Sequence, residues 1–297
     1  MNPKFFPDRS SFLEKIVSTR MQNLLIDGYR IDGRQPSEIR HLKCRLAPFR
    51  QADGSSYIEQ GGTKVLAAVY GPQEPDSENS DGECKINVEY AKSPFANIEH
   101  RIQRKNDSKS REISEKIRNT LSSAIVLSTY PRSVINVYLT VIESDGGDWA
   151  ASINAAGLAL VDAGIVLKDM IAACEVSVID MQESTQGGVD EFSDDAMNMN
   201  EPENETNRTD PTAHEQDRCQ ALVDPNRDEC IGYNIPKLSI AILPKLGKII
   251  AIEVSGRLHL SRLEVGLETA KKGAHEMADI FDGMVKNHLT GMNEMQN

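Results

Sequence analysis

Ala52-Asp53-Gly54-Ser55-Ser56-Tyr57-Ile58-Glu59-Gln60-Gly61-Gly62-Thr63-Lys64-Val65-Leu66-Ala67-Ala68-Val69-Tyr70 is the stretch from which the fold can be read. Asp53-Gly54 turns the chain into Ser55–Gln60, and Gly61-Gly62 turns it again into Lys64–Tyr70. Glycine accepts the positive φ that tight turns demand, so β-prone runs joined this way read as hairpins. Upstream, Leu42–Phe49 adds a third strand-like run, and the three make a meander. Downstream, Cys84-Lys85-Ile86-Asn87-Val88-Glu89-Tyr90 alternates apolar with polar, the pattern of a strand buried on one face.

The period then changes. Ile113, Ile117, Leu121 and Ala124 recur every three or four residues, which predicts a helix from Ser110, with Ser110 as N-cap, ending before Pro131. Val134–Ile142 reads as a strand. Gly146-Gly147 opens a second helix, Trp149–Ala163, whose many small residues suit close packing on a sheet. Ile171–Met181, Lys237–Leu243 and Lys248–Val254 read as further strands, the last two around a turn at Lys245–Gly247. A closing helix carries the stripe Leu260, Leu263, Leu267, Ala270, Ala274, Met277, Phe281 and Met284. The expected class is α+β.

Between these elements, residues 182–222 are polar and acidic with few large apolar side chains, the composition of a disordered insertion. The formal net charge of −12 is concentrated there: residues 182–220 hold eleven acids and two bases, leaving about −3 for the rest. The acidity therefore does not exclude a nucleic-acid partner. Five widely spaced cysteines without a CxxC pair argue against a disulfide framework or zinc knuckle. No run of about 18 apolar residues appears, and the N-terminal stretch is charged where a secretory signal would be apolar. Nucleus and cytoplasm are the expected locations.

Several motifs resemble those of RNase PH-type ring subunits of the RNA exosome. They are Asp27-Gly28-Tyr29-Arg30-Ile31-Asp32-Gly33-Arg34, Ala52–Gly61 with Thr63-Lys64, Val69-Tyr70-Gly71-Pro72, Tyr130-Pro131-Arg132, Asp145-Gly146-Gly147, and Leu160-Val161-Asp162-Ala163-Gly164-Ile165. They occur in family order from about residue 27 to 290, and the wording Gln51–Gln60 is most similar to the subunit type that is catalytic in archaea. The resemblance implies one RNase PH-like domain over 26–292, interrupted by the 182–222 insertion. An N-terminal extension, 1–25, and a tail, 293–297, would flank it. It also implies a tight heterodimer with another RNase PH-type subunit, a six-membered ring, cap subunits, an associated hydrolytic ribonuclease, and single-stranded RNA threading the pore. No metal or other cofactor is expected.

Active members of that family hold inorganic phosphate at a Gly-Ser/Thr-Arg sequence beginning a helix. Backbone N–H groups and the helix dipole favour an anion there, and the arginine adds a bidentate grip. The matching residues here are Gly147, Asp148 and Trp149, so the arginine is lost and a carboxylate is added, which we expect to cap the helix. Active members also carry two aspartates. Asp224 matches the first; the second falls near Lys237, while Asp228 and Glu229 stand at the wrong offset. Asp224 is thus a vestigial position, and Trp149 and Lys237 are lost ones.

The family's RNA-holding arginine pair matches Ser108 and Lys109, and Gln73 replaces a pore-side arginine. The loop Glu74–Glu83 holds five acids and no base. The most basic stretch, His100–Arg111, makes Arg101, Arg104, Lys105 and Lys109 the candidate phosphate contacts. The expected function is a ring subunit that guides RNA without cutting it. The alternatives are an active phosphorolytic 3′-5′ exoribonuclease subunit and a small-molecule enzyme on a similar fold.

Overall fold

The structure, a computed structural model, describes residues 25–26, 28–74, 84–96, 107–180, 219–231 and 235–296. In chain order the elements are β1 (Leu25–Ile26), β2 (Tyr29–Arg30), β3 (Leu42–Leu46), β4 (Gly54–Gln60), β5 (Thr63–Gln73), β6 (Lys85–Lys92), α1 (Ser108–Ala124), β7 (Val134–Glu143), α2 (Asp148–Asp162), β8 (Ala172–Asp180), β9 (Cys219–Val223), α3 (Arg227–Ile231), β10 (Lys237–Leu243), β11 (Lys248–Ser255) and α4 (Leu260–Gln296).

The glycine turns produce the meander. β3, β4 and β5 pair antiparallel, with Cys44 opposite Ile58 and Ile58 opposite Val65. β7 joins β5, and β6 runs parallel to β7, giving a five-stranded sheet in the order β3-β4-β5-β7-β6. A second sheet, antiparallel throughout, has the order β11-β10-β8-β9.

Helix α2 lies between the sheets. It packs on β4 and β5 at one side and on β8 and β10 at the other, and every residue from Ala150 to Leu160 is buried. Its small side chains allow this, because helix and strand backbones nearly touch. A Cβ on Gly54 would sit 2.3 Å from the Ala159 carbonyl oxygen and from the Ala163 nitrogen. Ile153, Leu158 and Leu160 fill the remaining space, each contributing about 1.5–3 kcal/mol by burial. α1 covers β6, and α4 covers β8, β9 and β10 with Ala270, Ala274, Met277 and Phe281 buried.

The structure departs from the sequence reading in several places, among them the end of β3 at Leu46 instead of Phe49. Asp107, not Ser110, caps α1: its side chain accepts from the Ser108 N–H at 2.8 Å, and Ser110 is buried within the first turn. The end of the expected insertion overreaches, because β9 pairs with β8 from Cys219 onward. Ala221, Leu222 and Val223 bury an apolar run too short to show against its polar neighbours. The expected tail from 293 is helical as far as Gln296. A short helix, α3, was not anticipated. The rest of the insertion, residues 181–218, lies outside the described residues, as do the acidic loop 75–83 and the N-terminal extension up to residue 24. Among the described residues no helix is long and apolar enough to cross a membrane.

Candidate active site

The expected phosphate subsite is the N-terminus of α2. Gly146 and Gly147 turn into it with φ of +88° and +69°. Both must be glycine for reasons of space as well. A Cβ on Gly146 would lie 2.7 Å from the Pro225 carbonyl oxygen, and one on Gly147 would lie 2.9 Å from Arg40 Nη2. The loop after β9 therefore packs directly on the helix start and brings Asp224 there.

Asp224 is fully buried and adopts φ of +52°, a left-handed conformation unusual for a residue with a side chain. Arg40 holds its carboxylate twice: Nη2 donates to Oδ1 at 2.6 Å, and the backbone N–H donates to Oδ2 at 3.1 Å. The same guanidinium donates to the carbonyls of Asp145 and Gly146. Burial, the largest single influence, pushes the Arg40 pKa down, but the charge and hydrogen bond of Asp224 together with the charges of Asp145 and Glu175 outweigh it and the pKa is raised. Each charge of this pair compensates the other's desolvation, which would otherwise cost several kcal/mol.

Asp148 does not cap α2. Gly147 occupies the cap position, without a side-chain hydrogen bond, and Asp148 is the first helical residue. Its carboxylate instead accepts from Lys92 Nζ and from Ser144 Oγ, both at 2.6 Å. Lys92 comes from the end of β6 and Ser144 from just after β7, so the parallel pairing of these strands sets the contact. Trp149 lines a cleft between α1 and β11, apart from the Arg40–Asp224 contact.

Lys237, at the second lost position, has a partner that sequence reasoning missed. Its Nζ lies 3.4 Å from Glu175 Oε1. Glu175 stands in the middle of β8, buried, and its carbonyl accepts the Asp224 N–H at 2.8 Å. Burial raises the Glu175 pKa; Lys237 opposes the shift without cancelling it, and Asp224 and Asp148 add to it. The signal was available as one acid inside the apolar run Ala172–Ile179. Asp224, Asp148, Glu175 and Lys237 thus gather at one place, while Trp149 points elsewhere.

The motif at 27–34 explains how the Asp224 loop is held. Arg30, buried, donates to the Val223 carbonyl at 2.7 Å and pairs with Glu229 at 3.0 Å. Glu229 Oε2 also accepts from the Asn226 N–H. Arg34 pairs with Asp32 at 2.6 Å and donates to the Asp224 carbonyl and to Asn226 Oδ1. Glu229 is therefore a structural partner of the motif. Of the candidate RNA contacts, Lys109 is exposed in the first turn of α1; Arg101, Arg104 and Lys105 lie outside the described residues. Gln73 is exposed at the end of β5.

Residues 38–166 match the model of the 3′ exoribonuclease family, domain 1, known as RNase PH. The chain is 34% identical over 266 residues to the exosome complex component RRP41 of Homo sapiens, spanning 88% of this chain and 92% of that protein. The chain belongs to the RNase PH family. An archaeal member of this RNase PH family, the exosome complex component Rrp41 of Methanopyrus kandleri, is 31% identical over 249 residues, 83% of this chain and 87% of its own. The crystal structure of rice (Oryza sativa) Rrp46 shares the RNase PH-type fold with a TM-score of 0.64 at 23% identity, covering 85% of this chain and 98% of that one.

Proposed function

We propose that this protein is a non-catalytic core ring subunit of an RNA exosome, supporting 3′-to-5′ RNA processing and degradation by assembling the ring and guiding RNA through it. Its partners are other RNase PH-type subunits, cap subunits, an associated hydrolytic ribonuclease and single-stranded RNA, in the nucleus and cytoplasm. Relatives named as exosome complex components over nearly the whole chain support the assembly role.

One observation carries the non-catalytic reading. The carboxylates at the start of α2 are paired with the chain's own cations, Asp224 with Arg40 and Asp148 with Lys92. Arg40 and Lys92, the cations nearest the start of α2, are thereby engaged by the chain's own carboxylates and are not free to receive a phosphate. Glu175 favours the alternative of an active phosphorolytic subunit, since it restores a second carboxylate; its pairing with Lys237 speaks against that use.

The test is phosphorolysis. Purified protein, and separately its complex without any hydrolytic subunit, is incubated with single-stranded RNA, magnesium and phosphate. No nucleoside diphosphate above that of a Trp149→Ala variant is expected. Phosphate-dependent release above that control overturns the proposal.

A further inference from the structure

Strand β11 ends the four-stranded sheet, so among the described residues one of its hydrogen-bonding edges has no neighbouring strand. Its two faces differ. Glu253 points toward α1, where Lys116 pairs with it at 2.7 Å. Ile252 and Val254 alternate with it and point to the opposite face, the one α4 covers over β8, β9 and β10. The helix stops short of β11, leaving Ile252 52% and Val254 45% exposed. On the α1 side a cleft of about 370 Å³ runs beside the strand, lined by Asn119, Thr120, Ser123 and Trp149 among others.

We infer that β11 is a docking edge for an extended strand of another polypeptide of the assembled complex, an inference that rests on the reading of this chain as a complex subunit. A row of outward-facing backbone N–H and C=O groups along a sheet edge is a template for pairing with another strand. Alternation then fixes what that strand carries: one set of side chains covers Ile252 and Val254 and is apolar, and the other enters the cleft. Charge narrows it further. Lys248, at the start of β11, and Arg257, just past its end, are exposed and form no ion pair among the described residues. A strand with acidic residues at both ends and an aliphatic middle is the complement, in either direction of pairing.

The test compares amide hydrogen exchange in the full-length chain alone with exchange in the complex purified from cells through a tag on this chain. Amides of residues 248–255 are expected to exchange at least about tenfold more slowly in the complex. The double substitution Ile252→Lys and Val254→Lys, at exposed positions, is expected to reduce recovery of stoichiometric partners while leaving the chain's thermal melting unchanged. Equal exchange in both samples overturns the inference and leaves the ring-subunit reading standing. Recovery of no partner at all overturns both. Protection lost on ribonuclease treatment assigns the edge to RNA, and equal protection in the concentrated pure chain assigns it to a second copy; either result overturns the strand partner.

Discussion

Lys92 Nζ lies 2.6 Å from Asp148 Oδ2, so the cation that ends β6 neutralises the acid that begins α2. The pair is partly buried, with side-chain exposures of 14% and 22%. Lys92→Met leaves Asp148 with Ser144 alone and is expected to destabilise the fold by about 1–3 kcal/mol. Asp148→Asn in the Lys92→Met background should recover most of that loss, read as the urea midpoint in a double-mutant cycle.

Arg40 and Asp224 are more deeply buried, at 4% and 0%. Arg40→Met strands a buried carboxylate and is expected to cost about 3–5 kcal/mol. Asp224→Asn alone should cost less, because Asn keeps an acceptor for the Arg40 backbone N–H. Equal losses in the two variants would show that the charge of Asp224 is not what Arg40 stabilises.

Glu175 predicts a pH dependence. Its folded pKa is raised above the ordinary 4.5, chiefly by burial. Between those two values the folded state holds the proton that the unfolded state has released. Its contribution is therefore fully present below about pH 4.5 and lost as pH rises through the folded value. Glu175→Gln removes that loss, so stability relative to wild type should improve as pH rises across this window. Denaturant titrations at several pH values check it; parallel curves would count against the buried carboxyl as the source.

Gly54→Ala drives a methyl group into the backbone of α2 at Ala159 and Ala163, atoms that cannot move without shifting the helix. The expected loss is at the upper end of overpacking, about 3 kcal/mol. Calorimetric melting is the measurement, and a neutral result would mean that α2 slides easily between the sheets.

The basic stretch predicts a salt effect. Neutralising Arg101, Arg104, Lys105 and Lys109 together should lower the salt slope of single-strand RNA binding by about 3, at about 0.7 for each phosphate contact. The measurement uses assembled complexes, since the channel exists only there. An unchanged slope in a correctly assembled variant places these residues away from the RNA.

Much was decided by local chemistry in the sequence itself. Gly61-Gly62 and the alternation of Cys84–Tyr90 determined strands because turn conformation and the period of two are properties of neighbouring residues. The loss of the arginine at Trp149 was equally visible, being the identity of one residue in a motif. Pairing across the chain was not. Arg40 meets Asp224 and Lys237 meets Glu175 only because β10, β8 and the loop after β9 converge on α2. Asp148 looked like a cap because an acid beside two glycines usually is one; only the parallel approach of β6 to β7 brought Lys92 within 2.6 Å and gave the carboxylate a stronger partner. The sequence by itself determined which groups could bear charge and roughly where most strands and helices lie. The tertiary structure decided which charges cancel, because an ion pair depends on distance in space and not along the chain.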